Sequence, residues 1–107
     1  VLRLQVAPKY STEVRATPVD FSALFYPQDG TDSFISSPAA VAVSVYSGVD
    51  PTPPAFYATY YTPTQQLIHE SGGLPGVIYQ VVVTGTSSPN NYQLVVTYLL
   101  AIIPAAP

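Results

Sequence analysis

Cysteine, methionine and tryptophan are all missing from these 107 residues, and histidine occurs once. Without cysteine there is neither a disulfide framework nor a thiolate metal site, and the redox compartment leaves no trace. Without methionine at position 1, the chain starts after a removed initiator or inside a longer polypeptide. Charge is scarce too: Asp, Glu, Lys and Arg make up 8% of residues, against about a quarter in an ordinary soluble domain. The three bases, Arg3, Lys9 and Arg15, all fall within the first fifteen positions. Residues 1–15 therefore carry net +2. Residues 16–107 hold Asp20, Asp29, Asp32, Asp50 and Glu70 without a base and carry net −5. Large aromatics stand where charge would normally wet the exterior, as on a subunit built into an assembly. A basic start on an acidic body suggests copies or partners meeting head to tail, an attraction that salt weakens where it is exposed.

Long apolar runs are absent as well. The longest, Leu94 to Ile103, is broken by Thr97 and falls well short of the ~20 residues a membrane-spanning helix needs. The start, Val1-Leu2-Arg3-Leu4-Gln5-Val6, lacks the apolar centre of a signal peptide. No membrane partner is expected. What is present in quantity is apolar residue, 48% of the chain, enough for one core and against wholesale disorder despite twelve prolines. The length suits a single domain.

Period-two alternation dominates. Val19, Phe21, Ala23 and Phe25 alternate with Asp20, Ser22 and Leu24, a first half-buried strand. Pro27 to Asp32 reads as a turn around Asp29-Gly30, and Phe34-Ile35 opens a second extended piece that Pro38 interrupts. Val41, Val43 and Val45 mark a third strand, which ends at Ser47-Gly48 before Pro51, Pro53 and Pro54. Ala55 to Tyr61 gives a fourth and Gln65 to Glu70 a fifth. Val77 to Thr84 and Tyr92 to Ile103 are the longest, apolar on both faces, so they belong in sheet centres or lie under another chain. About seven strands at this spacing predict an all-β sandwich over residues 17–104. Residues 1–16 fit it poorly, because Pro8 ends their alternation and Pro18 isolates them. They read as an extended docking arm, free to add a strand to its own sheet or to a neighbour's. Residues 105–107 are a short tail.

Catalytic patterns are lacking. His69 neighbours Glu70 on a strand, where successive side chains point to opposite faces, so the pair makes a poor dyad or ligand set and His69 reads as solvated. No second imidazole or glycine elbow accompanies any serine. Asp29 and Asp32 flank Gly30 without the remaining ligands of a calcium loop. Phosphate-loop and dinucleotide glycine patterns do not occur. An enzyme is not expected, nor a cofactor or metal. Nucleic acid is disfavoured as a partner because residues 16–107 hold no Lys or Arg for phosphate contacts. Tyr57, Tyr60 and Tyr61 fit either a carbohydrate-stacking platform or, preferably, packing between sheets or against a partner subunit.

The strongest local motif is Leu74-Pro75-Gly76-Val77-Ile78-Tyr79-Gln80-Val81-Val82-Val83. It resembles the opening of the penultimate strand of fibronectin type III and other immunoglobulin-like domains. In that resemblance Tyr79 is the corner tyrosine, its hydroxyl bonding back to the preceding loop. A wider pattern joins it: Pro8-Lys9 and Glu13, Val19-Asp20-Phe21-Ser22-Ala23-Leu24, Asp32 with Phe34-Ile35, Val41 to Val45, and Gly72-Gly73 before Leu74. Together these resemble small immunoglobulin-like virion proteins of tailed bacteriophages, some of them fibre–tail adaptors. Phe21 stands where that family has Trp, and the aromatic insert Phe56 to Tyr61 departs from its pattern.

The resemblance implies a non-enzymatic adaptor that fastens tail fibres to the tail or neck, with other virion proteins and copies of itself as partners. Arg3, Lys9 and Arg15 would dock it, and Tyr57, Tyr60 and Tyr61 would form a second contact surface. A capsid decoration or head-completion protein and a glycan-binding fibre module are the competing readings. Its expected location is the virion, after assembly in the host cytoplasm.

Overall fold

The computed structural model describes residues 2–24, 34–35, 38–88 and 91–104. The expected turn at Asp29-Gly30, with Asp32, and the tail at 105–107 lie outside those residues. The strands are β1 (Leu2–Gln5), β2 (Lys9–Tyr10), β3 (Arg15–Asp20), β4 (Phe34–Ile35), β5 (Ala40–Ser47), β6 (Tyr57–Thr62), β7 (Gln65–Glu70), β8 (Ile78–Ser88) and β9 (Gln93–Ile103).

They form two sheets. In the larger, β8 and β9 are the central antiparallel pair, from Ile78 opposite Ala101 to Thr86 opposite Gln93. Strands β5 and β4 lie along the other side of β8, antiparallel to it. Strands β1 and β2 run parallel to β9 on its far side, Arg3 opposite Thr97 and Lys9 opposite Ile102. The smaller sheet has the order β3-β7-β6, all antiparallel. This is an all-β sandwich, with its first described strand parallel to its last.

The core follows from alternation. Tyr79, Val81 and Val83 of β8 and Leu94, Val96, Tyr98, Leu100 and Ile102 of β9 are buried, facing Val19 and Ile68 of the smaller sheet. Phe21, just beyond β3, is fully buried among them. The two longest apolar stretches of the sequence thus occupy the sheet centre.

The start of the chain takes one of the two courses expected of it: β1 and β2 pair with β9 and add to the sandwich's own sheet. Strand β3 starts at Arg15 and runs through Pro18, which pairs with Leu67. An edge strand tolerates a missing amide donor on its open side, so this proline does not break the ladder. The strand expected through Phe25 stops at Asp20, whose carboxylate Oδ1 accepts a hydrogen bond from Ser22 N (2.9 Å) and turns the chain into the 3-10 segment Ser22–Leu24. That bond holds the Asp20 carboxyl below its ordinary pKa.

Candidate interaction surfaces

Two of the three bases are used inside the molecule. Lys9 is fully buried, its ammonium donating to the carbonyls of Gly72 (2.8 Å) and Tyr10 (2.9 Å). Arg15 Nε donates to Glu70 Oε1 (2.9 Å), and its terminal nitrogens reach Ala7 O (2.7 Å) and Pro8 O (3.3 Å). Glu70, with no exposed surface, also accepts from Thr17 Oγ1 (2.8 Å) and from Tyr98 OH (2.5 Å). These bonds tie the start of the chain to β3, β7 and β9. The expected docking role does not fit Lys9, whose ammonium is enclosed by its own chain, and Arg15 spends three of its five N–H donors inside the molecule while its side chain stays 19% exposed.

Arg3 is different. By its register opposite Thr97 it shares the outward side of the larger sheet, it is exposed, and no ion pair involves it among the described residues. No local pattern in the sequence separates these three bases. The inward parity of Glu70, two residues after Ile68 and four after Gln66, was the available signal that some charge would be paired inside.

The phenols of the core set an alkaline limit. Burial, then the bond to Glu70, pushes the Tyr98 hydroxyl far above its ordinary pKa. Burial and the bond to Asp50 raise Tyr79 as well. Below about pH 10 these phenols are neutral in folded and unfolded chains alike, so full stability is present. Above it the unfolded chain loses their protons, while the folded chain keeps that of Tyr98 and gives up that of Tyr79 later than the unfolded chain does. Stability is expected to fall by about 1.4 kcal/mol per pH unit through Tyr98, with a further loss in the same direction from Tyr79. Urea unfolding at pH 9, 10 and 11 measures the slope, and Tyr98→Phe should lessen it.

Tyr79 closes one end of the core. Its ring is buried; its hydroxyl accepts from Leu74 N (2.9 Å) and donates to Asp50 Oδ2 (2.6 Å). The loop before β8 and the one after β5 are thereby fastened to one side chain. Asp50, which the sequence offered only as part of a turn, supplies the second half of that corner.

The outward sides carry little charge. On the larger sheet the residues alternating with the core include Ala42, Ser44, Gln80, Val82, Val95, Thr97 and Leu99, with Arg3 as the one charged member among the described residues. Leu99 is 40% exposed and Tyr46, at the edge, 61%. On the smaller sheet Ala16, Pro18, Thr59 and Leu67 lie outward with Asp20. Tyr57 and His69 face each other across β6 and β7 there, rings stacked with centroids 4.6 Å apart and planes 12° apart. His69 is half-buried and shares a hydrogen bond with Thr59 (Oγ1 to Nε2, 2.7 Å), so it is engaged where a solvated ring was expected. Glu70 beside it points inward.

Tyr57, Tyr60 and Tyr61 are all more than half exposed. Tyr60 has the parity of the buried Ala58 and sits where the β6–β7 register slips, so the three rings do not share one side of the strand. Among the described residues no cluster of His, Asp and Glu could hold a metal ion. No helix among the described residues is long and apolar enough to cross a membrane. No family model, curated protein or solved structure matches the chain.

Proposed function

We propose that this protein is a non-enzymatic structural adaptor of a phage virion, fastening tail fibres to the tail or neck. One observation supports the reading above others: the outward side of the larger sheet holds Val82, Val95 and Leu99 with a single charge, Arg3, among its described residues. Apolar surface of this kind on a central pair of strands gains free energy when another subunit covers it, by about 25 cal/mol per Å² removed from water. Tyr57, stacked on His69 on the outward side of β6 and β7, provides a second contact on the opposite sheet, since a phenol ring buries large area and keeps a polar end for the rim. Two contact surfaces on opposite sides are what a connector requires. The sequence resemblance to small immunoglobulin-like virion proteins supplies the setting.

Docking in this reading depends on apolar and aromatic area and on Arg3, with Lys9 and Arg15 bracing the subunit from within. Repeated copies around a tail make modest single contacts sufficient, because linked sites act together. The test is mass spectrometry and cryo-electron microscopy of purified particles assembled with a tagged copy of the chain. Density for the chain at the junction of tail and fibre is the expected result. Its absence from particles, or its placement on the capsid shell, overturns the adaptor reading.

A further inference from the structure

Four strands longer than two residues lie at the sheet edges, β1 and β5 in one sheet and β3 and β6 in the other. Three of them carry something that spoils pairing with a newcomer. The register slips between Val45 and Ser47 in β5 and between Tyr60 and Thr62 in β6, while β3 contains Pro18. Strand β1 pairs with β9 in unbroken register and has no proline. Its one guard is a charge, Arg3, which repels bases and admits acids.

Both sides of β1 offer space. A groove of about 370 Å³ opens on the outward side of the sheet, with Arg3, Gln5 and Leu99 in its lining. A cleft of about 390 Å³ separates β1 from β3, its walls including Leu4, Val6, Ala16 and Pro18. Leu4, Gln5 and Val6 line both, so the strand forms a rail between a groove holding a free cation and a mainly apolar cleft.

We propose that β1 is a docking edge for an extended segment of a partner protein in which acidic and apolar residues alternate. The proposal rests on the adaptor reading and names the partner chemistry for this edge. A strand laid along β1 would hydrogen-bond to its open backbone. Alternate side chains of that strand point to opposite sides. One set falls beside Arg3, where a carboxylate gains a cross-strand partner of opposite charge. The other set enters the cleft beside Leu4 and Val6 and is removed from water. Arg3 thus selects the sign of the partner and the cleft selects its hydrophobicity.

The probe is a short synthetic peptide of alternating glutamate and valine, titrated into the isotope-labelled full chain and followed by NMR. Amide shifts are expected at residues 2–7 and 15–17, with saturation below millimolar peptide. Arg3→Glu should weaken binding about tenfold, as replacing an attractive cross-strand pair by a repulsive one implies. Since Arg3 is exposed, an otherwise unchanged spectrum will report that this variant is folded. A twin peptide with lysine for glutamate, and one N-methylated at alternate amides, should not saturate. Equal affinity in Arg3→Glu, indifference to N-methylation, shifts confined to β5 or β6, or no binding up to millimolar peptide would each overturn the proposal. If the peptide fails while particles still show the chain at the fibre junction, the edge site falls and the adaptor reading stands. The opposite pattern leaves a peptide-binding module without the virion role.

Discussion

Replacing Glu70 by alanine should lower the unfolding free energy by about 3–5 kcal/mol, the usual cost of removing one member of a buried charge pair. The argument is local. Arg15, Thr17 and Tyr98 all direct hydrogens at this one carboxylate, which has no exposed surface. Alanine leaves the Tyr98 hydroxyl and the Arg15 guanidinium facing a void, and the buried Lys9 ammonium keeps only Glu13 as a nearby opposite charge. Burial already lowers the Lys9 pKa, an effect that proximity to Glu13 and Glu70 partly offsets. For a domain of this size the loss corresponds to a fall in Tm on the order of 15 °C or more. Glu70→Gln keeps the shape and an acceptor oxygen, so it should cost less than alanine. Calorimetry of the two variants beside the parent decides the matter. Equal, small effects would mean that the cluster contributes little to holding β1 and β2 in place.

Gly73→Ala is the second large effect, expected at about 2–4 kcal/mol from overpacking and backbone strain together. Gly73 has φ +98°, and a Cβ there would come 2.8 Å from Ile102 Cγ1 and 3.3 Å from Tyr79 Cε2. Both neighbours are core side chains held by the sandwich, so neither can withdraw freely. Gly76→Ala separates the two causes. Its φ is +85° but nothing lies within 4 Å of the added carbon, leaving the strain alone. Chemical denaturation should therefore rank Gly73→Ala clearly below Gly76→Ala. If both variants lose the same amount, the crowding against Ile102 is relieved by movement of the loop.

Much of this architecture was legible in the sequence. Alternating valines at 41–45 disclosed β5 and its inward side, because side-chain direction in a strand has a period of two, and the apolar stretches at 77–84 and 92–103 disclosed β8 and β9 without telling their two faces apart. Strand β7 was marked at its observed limits, Gln65 to Glu70. The beginning of the chain was harder to read. A proline in a six-residue stretch looks like a boundary, and only the position of β3 at an edge makes Pro18 harmless. Charge at Lys9 and Arg15 looked like exterior chemistry since burial of a base depends on a partner 55 or more residues away, which no local pattern records. A separation of 29 residues likewise hides the link between Asp50 and Tyr79. The tyrosines of β6 were visible as a cluster, but their division between two sides follows from a register slip that composition does not reveal.

The parallel alignment of β1 with β9 has a mechanical meaning. Tension entering the chain ahead of β1 and leaving it beyond β9 pulls the two strands lengthwise past each other. The ladder between them is then loaded in shear, with its rungs sharing the force. A peeling geometry would instead break them one after another. Strands loaded in this way resist a pull better than strands unzipped from one end, and the lateral grip of Arg15 on residues 7 and 8 adds to that resistance.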